Sequence, residues 1–332
     1  MKHANLSIFV PHVGCPHRCS FCDQGKISGT QSLPSAETVR QLCREQAPRL
    51  AGRREAEIAF FGGSFTAVDR AYQEELLRAA APFVESGDFS GIRVSTRPDA
   101  VDNEALRLLH AYHVTAVELG AQSMDDGVLN ANRRGHLARD VVEGARKVRE
   151  QGFSLGLQMM TGLYSSTPQK DLETAQRLAD LHPDTVRVYP TIVLRRTRLA
   201  QLWAAGAYRP QDLEEAVELG ARLLELFEEE HGIPVIRMGL HAQASLEQNY
   251  LAGPWHPAFR ELCEGGVLRR RLKTALQSLP PGRYLLWMHP RSVSKLTGHG
   301  DRTLDRLGEQ GYYIKIRPKE DLQRLELELE EV

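Results

Sequence analysis

What most constrains the fold is a rhythm in the chain, in which short β-branched or aromatic runs alternate with longer amphipathic stretches. The runs are Leu6 to Val10, Glu57 to Phe61, Ile92 to Thr96, Ala116 to Leu119, Ser154 to Met159 and Thr185 to Tyr189. Between them lie helical patterns such as Ser35 to Leu50, with Val39, Leu42, Cys43 and Leu50 on one side, and Gln73 to Val84. Such alternation builds repeated βα units around a parallel sheet, and six units are expected. With 332 residues the chain is long enough for one large α/β barrel or two ordinary domains. Leu202 to His231 reads as one or two further helices, broken near Tyr208 and Pro210 and stopped at Gly232. After Gly239 the character changes: Gly253-Pro254, Gly265-Gly266 and Pro280-Pro281-Gly282 punctuate the chain, followed by strand-like Tyr284 to Met288 and Tyr312 to Ile316. Residues 241–332 are expected to form a smaller C-terminal extension to a main unit of residues 1–240, and the acidic tail Leu325 to Val332 a frayed helix.

Charge excludes a generally nucleic-acid-seeking protein. Lys and Arg number 42 against 43 Asp and Glu, so any RNA site must be a local patch. In the extension the best such patch is Arg269-Arg270-Arg271 with Lys273, although such a run is commonly one exposed helix face. No signal peptide is visible, and no apolar stretch approaches the roughly 20 residues a membrane span needs. A cytoplasmic protein without a membrane partner is expected.

Three of the five cysteines fall in Gly14-Cys15-Pro16-His17-Arg18-Cys19-Ser20-Phe21-Cys22, a C-x3-C-x2-C spacing directly after the first expected strand. Loops at the C-terminal ends of barrel strands are where chemistry sits. Three soft thiolates on one short loop can ligate three irons of a 4Fe-4S cubane and leave the fourth open. The amino and carboxylate groups of S-adenosylmethionine can chelate an open iron, and an electron from the cluster then yields methionine and a 5'-deoxyadenosyl radical. Phe21 could pack against the adenine. A zinc site completed by His12, His17 or Asp23 is the alternative that the thiols alone leave open. Cys43 and Cys263 are isolated and read as packing residues.

Further motifs follow in order: Phe60-Phe61-Gly62-Gly63-Ser64-Phe65-Thr66, Thr96-Arg97-Pro98-Asp99, Val117-Glu118-Leu119-Gly120-Ala121-Gln122-Ser123, Arg134-Gly135-His136 and Val188-Tyr189-Pro190-Thr191. With the cysteine loop they resemble the radical S-adenosylmethionine (radical SAM) core of the Elongator catalytic subunit, a tRNA wobble-uridine modification enzyme. More distantly they resemble oxygen-independent coproporphyrinogen oxidase. The similarity spans roughly residues 5 to 240.

The resemblance implies a partial (β/α)6 TIM-type barrel carrying a 4Fe-4S cluster on Cys15, Cys19 and Cys22 at its open mouth. Gly62 and Gly63, followed by Ser64, would let backbone approach the methionyl amino group. Gln122 and Arg134 fall where related enzymes hold the ribose and the methionyl carboxylate. Glu118 shares the strand of Gln122 and could equally be paired inside the barrel. Ser95 lies where relatives often carry Glu, and Gln158 where they carry Asp or His, so ribose binding should differ in detail. Arg97, Arg187 and Tyr189 could line a substrate mouth, as could Arg195, Arg196 and Arg198.

The acetyltransferase domain that supplies the Elongator subunit's acetyl group is not expected within residues 241–332, so its reaction cannot simply be carried over. The leading expectation is a radical SAM enzyme acting on RNA, with tRNA first, fed by a ferredoxin- or flavodoxin-type reductant. A radical SAM enzyme for a small molecule such as a tetrapyrrole is the second. A non-catalytic, zinc-binding adaptor is the third.

Overall fold

The computed structural model describes residues 4–10, 19–22, 32–50, 56–240, 244–298 and 302–332. Its centre is a parallel sheet of β1 (Ala4–Val10), β2 (Ala56–Gly62), β3 (Gly91–Thr96), β4 (Val114–Gln122), β5 (Ser154–Thr161), β6 (Thr185–Pro190) and, beyond a two-residue strand β7 (Val193–Leu194), β8 (Val235–Met238). The order is β1-β2-β3-β4-β5-β6-β8, curled into a half-barrel. All six expected strands are present. Val235–Met238 adds a seventh that sequence periodicity did not single out.

Alternation along the strands decides what the barrel holds. Leu6, Ile8 and Val10, Ile58 and Phe60, Ile92 and Val94, Leu155 and Leu157, and Val186 and Val188 are buried in one hydrophobic core shared with the covering helices. The intervening residues, among them Asn5, Ser7, Ser95, Gln158 and Arg187, line a cavity. Apolar runs therefore pack outward, and polar residues set between them face inward.

The helices α1 (Ala36–Leu50), α2 (Arg70–Glu85), α3 (Asn103–Ala111), the short α4 (Asp126–Ala131), α5 (Ala138–Glu150) and α6 (Pro168–Ala179) return the chain between strands. Their starts are fixed chemically. Asp102 accepts the Ala105 N–H at 2.7 Å, Asp125 the Val128 N–H at 2.8 Å and Thr167 the Lys170 N–H at 3.3 Å. Each such cap is worth about 1 kcal/mol. The helices α7 (Arg198–Ala204) and α8 (Leu213–Leu224), the latter running into a wider turn at Glu225–Glu230, match the expected break near Tyr208.

After α9 (Ala244–Asn249) and β9 (Tyr250–Ala252) comes α10 (Phe259–Leu276), then β10 (Arg283–Met288), α11 (Pro290–Thr297), α12 (Thr303–Glu309), β11 (Tyr313–Pro318) and β12 (Leu327–Glu331). The last three strands form a separate sheet in the order β11-β10-β12. Phe259, Cys263 and Val267 of α10 belong to the barrel core, whereas Leu268, Leu272 and Leu276 belong to a second core with Tyr284, Leu286, Met288 and Leu296. One helix thus serves both. Among the described residues no helix is long and apolar enough to cross a membrane.

Three expectations are corrected here. The acidic tail is a strand, because Leu327 and Leu329 alternate with Glu328 and Glu330 and set two leucines against the second core. Gly265-Gly266 is no loop but lies inside α10. A Cβ at Gly265 would lie 2.3 Å from the Lys295 carbonyl oxygen of α11, and one at Gly266 2.9 Å from the Ala221 Cβ of α8, so the pair allows two close helix crossings. Arg269-Arg270-Arg271 is no free phosphate patch. Arg270 pairs with Glu218 at 2.9 Å, Arg271 bonds the Leu325 carbonyl at 2.7 Å and pairs with Glu229, and Arg269 reaches the Leu262 carbonyl.

Gly265→Ala should lower urea stability by about 2 kcal/mol or more, since overpacking against a backbone oxygen can be relieved only by parting α10 from α11. An unchanged denaturation midpoint would refute that contact.

Candidate active site

Four described residues of the cysteine loop are held from two sides. Ser20, fully buried, donates from Oγ to Asn132 Oδ1 at 2.6 Å and from its N–H to the Asn132 carbonyl at 3.0 Å. Its own carbonyl accepts the Leu199 N–H of α7 at 2.8 Å. Asn132 in turn donates to the Val128 and Tyr164 carbonyls, each at 2.8 Å. The loop segment is therefore tied to the ends of α4 and β5. Cys22 N–H closes a turn on the Cys19 carbonyl at 3.2 Å. Cys15 lies outside the described residues, as do His12, His17 and Asp23.

A cavity of about 410 Å³ opens beside this loop. Phe21, Cys22, Gly62, Ser95, Gln122, Gln158, Arg187 and Tyr189 all line it, bringing together residues that span most of the half-barrel. Gly62 has φ +114, and a Cβ there would sit 2.9 Å from the Val10 carbonyl oxygen. That approach is what lets β2 end beside β1, where the Gly63 N–H also bonds the Val10 oxygen at 2.8 Å.

Gln122 lines the cavity, and Arg134, outside the lining, lies beside it at Gly120. Gln122 adopts φ +67, and its Oε1 is buried with no hydrogen-bond partner. Holding a non-glycine residue there costs about 1 kcal/mol or more. Arg134 donates from Nη1 to the Cys19 sulfur at 3.1 Å and from Nη2 to the Gly120 carbonyl at 2.7 Å, while its Nε is buried without a partner. His136 reaches the Ala121 carbonyl at 3.1 Å. Burial first, and then the Arg134 charge, bring its pKa down to about 4.

The cavity floor is charged but largely self-neutralised. Glu118, fully buried, takes Arg187 through Nε at 2.8 Å and Nη2 at 2.8 Å, Gln158 Nε2 at 2.6 Å and Arg93 Nη1 at 3.3 Å. Arg93 continues to Glu57 at 2.7 Å, and Gln158 donates also to Ser95 Oγ at 3.2 Å. Burial opposes the Arg187 charge, yet Glu118 and Tyr189 beside it hold its pKa above the ordinary value. Burial likewise raises the Tyr189 pKa. Arg187 also lies 4.9 Å over the Phe61 ring.

Of the expected residues, Cys19, Gly63, Ser64, Arg97, Glu118 and Arg134 are not in the cavity lining, and two of these are engaged away from it. Ser64 Oγ is engaged with Thr96 Oγ1 at 2.8 Å and the Arg97 N–H at 3.1 Å, bracing the ends of β2 and β3 from outside the cavity lining. Arg97 pairs with Asp99 at 2.9 Å and does not line the cavity.

Sequence reasoning missed Asn5, Ser7 and Arg237 in the lining and Glu57 and Arg93 behind it. The signal for Asn5, Ser7, Glu57 and Arg93 was a polar residue at alternate positions of an otherwise apolar strand. Arg237 gave no such signal, because no strand was expected around it. Its Nε donates to the Gly239 carbonyl at 2.8 Å, and burial lowers its pKa. No carboxylate faces it among the described residues. At the floor Arg93, Arg187 and Arg237 stand against Glu57 and Glu118, one positive charge in excess there, and Arg134 beside Cys19 is a further cation.

Residues 9–179 match the radical SAM superfamily model, and residues 183–267 match the radical SAM C-terminal domain. The chain belongs to the radical SAM superfamily. Membership makes it a radical SAM enzyme, of the class that generates a radical with S-adenosylmethionine. Among curated radical SAM relatives, tRNA uridine(34) acetyltransferase of Dehalococcoides mccartyi is 26% identical over 239 residues, covering 62% of this chain and 52% of that protein. Human Elongator complex protein 3 is 28% identical over 261 residues, covering 65% and 48%. The chain thus spans about half the length of the curated relatives it matches. Elp3 of the archaeon Methanocaldococcus infernus shares the fold, with TM-score 0.63 at 19% identity over 83% of this chain and 65% of that one.

His136 supplies a pH test. It stays neutral in the fold down to about pH 4, while the unfolded chain takes up its proton near 6.5. Stability is therefore lost as pH falls through that window, by about 1 kcal/mol between roughly pH 7.5 and 5.5. His136→Gln, which can still donate to the Ala121 carbonyl, should abolish that increment in urea titrations at the two pH values. An equal acid loss in the variant would exclude His136 as its source.

Proposed function

We propose that this chain binds a 4Fe-4S cluster through Cys15, Cys19 and Cys22, binds S-adenosylmethionine in the cavity beside them, and modifies RNA, with tRNA as the substrate. The observation that carries the reading is a cavity lined by Cys22, Gly62 and Gln122, whose buried Oε1 has no hydrogen-bond partner. The donor set suits the group. Thiolates are the ligands of iron–sulfur clusters, and the Arg134 guanidinium donates to the Cys19 sulfur. When bound, the cluster supplies the electron that cleaves S-adenosylmethionine to the 5'-deoxyadenosyl radical.

The chain's own residues then divide the work. Gly62 and Gly63 offer backbone without a Cβ to the methionyl amino group, and Phe21 offers a ring to the adenine. Gln122 Oε1, an acceptor with nothing to accept, takes a ribose hydroxyl, with Ser95 and Gln158 below it. Arg134 serves the carboxylate and the cluster sulfur together. Glu118 positions Gln158 and Arg187 rather than touching ligand, because side chains already occupy its oxygens. Arg187 and Tyr189, with Arg237, face the substrate. Arg97, bound to Asp99, serves at the rim.

The RNA substrate rests on the relatives named for tRNA uridine modification. An external one-electron donor of ferredoxin or flavodoxin type completes the system.

Anaerobic reconstitution and dithionite reduction should give 5'-deoxyadenosine from S-adenosylmethionine, with Cys19→Ala falling to background. Full yield from that variant would remove Cys19 from the ligand set. Nucleoside mass spectra of tRNA from cells with and without the gene should differ in at least one modified nucleoside. Identical spectra under all growth conditions would move the substrate to a small molecule.

A further inference from the structure

The C-terminal sheet covers its helices with one face only. Tyr284, Leu286 and Met288 of β10, Ile314 and Ile316 of β11, and Leu327 and Leu329 of β12 pack on α10, α11 and α12. The pairing Arg283↔Tyr313, Leu285↔Lys315 and Trp287↔Arg317 sets the alternate residues of β10 and β11 side by side on the opposite face. There Tyr313 is 63% exposed, and Arg283, Lys315 and Arg317 are exposed as well.

The charge on this face is sorted. Glu330 accepts the Trp287 indole N–H at 2.8 Å, and Glu328 pairs with Lys319 at 2.7 Å. Arg283, Lys315 and Arg317 have no carboxylate partner among the described residues. From Arg283 to Val332 nine Lys and Arg balance nine Asp and Glu, so the positive charge is local to the β10–β11 side of the face, where Arg283, Lys315 and Arg317 stand apart from Glu328 and Glu330 of β12. Lys and Arg on an edge strand also discourage edge-to-edge pairing. That role needs no exposed tyrosine and no tryptophan beside it.

We propose that this face of β10 and β11 is a docking platform for a single-stranded RNA segment, with Tyr313 and Trp287 stacking on bases and Arg283, Lys315 and Arg317 meeting phosphates. Aromatic side chains on an open sheet, flanked by cations, are how small sheet modules hold single strands. The inference rests on the RNA reading above and names the surface, outside the cavity, that recruits the substrate.

Fluorescence anisotropy of the full chain with a labelled, unstructured RNA of about 12 nucleotides, and with a tRNA transcript, tests it from about 50 to about 200 mM salt. Tyr313→Ala should weaken binding at least about fivefold through lost stacking. The double variant Lys315→Ala with Arg317→Ala should flatten the slope of log affinity against log salt by about 1.4, or about 0.7 per lost phosphate contact. Arg107→Ala, exposed on α3, should change neither. All four side chains are exposed, so the fold should survive, which circular dichroism checks. If the wild type binds and the platform variants match it, the platform is wrong while the RNA reading stands. If the wild type binds neither RNA, both fall. If the variants alter sedimentation of the chain alone and leave RNA affinity untouched, a second copy covers the face and the proposal is overturned.

Discussion

The half-barrel depends on how Glu118 is neutralised. A carboxylate fully enclosed between strands is tolerable only when every lone pair is occupied and a cation stands against it. Arg187 from β6 supplies two bonds, Arg93 from β3 a longer one, and Gln158 from β5 the remainder. One side chain of β4 therefore fixes the register of strands on both its sides through charge as well as backbone bonding. Removing a single partner from such a cluster leaves an unpaired buried charge and typically costs about 3–5 kcal/mol. The network also leaves its upper neighbours free for other work. Ser95 and Gln158 are oriented from below by Glu118, and Arg187 presents an already paired guanidinium to the cavity instead of an unsatisfied one.

Legibility followed the same alternation. Runs such as Ile92 to Thr96 and Thr185 to Tyr189 were readable because β-branched residues recur with period two, and the strands extend at most two or three residues beyond them. Val235–Met238 was not readable, since four residues with Arg237 at the third carry almost no period. The glycine pair at 265 and 266 misled because propensity speaks of an isolated helix, whereas Lys295 and Ala221 press on this one from outside. The acidic tail misled because net charge drowned its leucine alternation. Within the site, Cys19, Gly62, Gln122 and Arg134 stood out through motif order, but the bond from Arg134 to Cys19 joins residues 115 apart and belongs only to the fold.

The same physics separates the two ends of the cavity. At the floor, Glu57, Arg93, Glu118 and Arg187 satisfy one another. Near the cysteine loop, Gln122 Oε1 and Arg134 Nε are buried without partners, and Gln122 is held in a left-handed backbone conformation. Buried polar atoms are rarely left alone unless something else completes them. Strain and incomplete bonding coincide at Gln122, whereas the Glu118 cluster satisfies itself; Asn5 Oδ1 on β1, also in the cavity lining, is a further buried acceptor without a partner.

Arg237 lies between these regimes. Its guanidinium is partly withdrawn from water beside Arg187 and Tyr189, with only the Gly239 carbonyl as a bonded acceptor. Burial and the neighbouring Arg187 both press against its charge, and no carboxylate among the described residues relieves them. A cation kept in that position lowers its energy when an anionic group arrives, so the cavity favours a ligand carrying negative charge at the β6–β8 side. S-adenosylmethionine placed against the cysteine loop directs its own carboxylate to Arg134 under the proposed reading. On the reading proposed above, it is an anionic group of the second reactant, within reach of β8, that would meet Arg237.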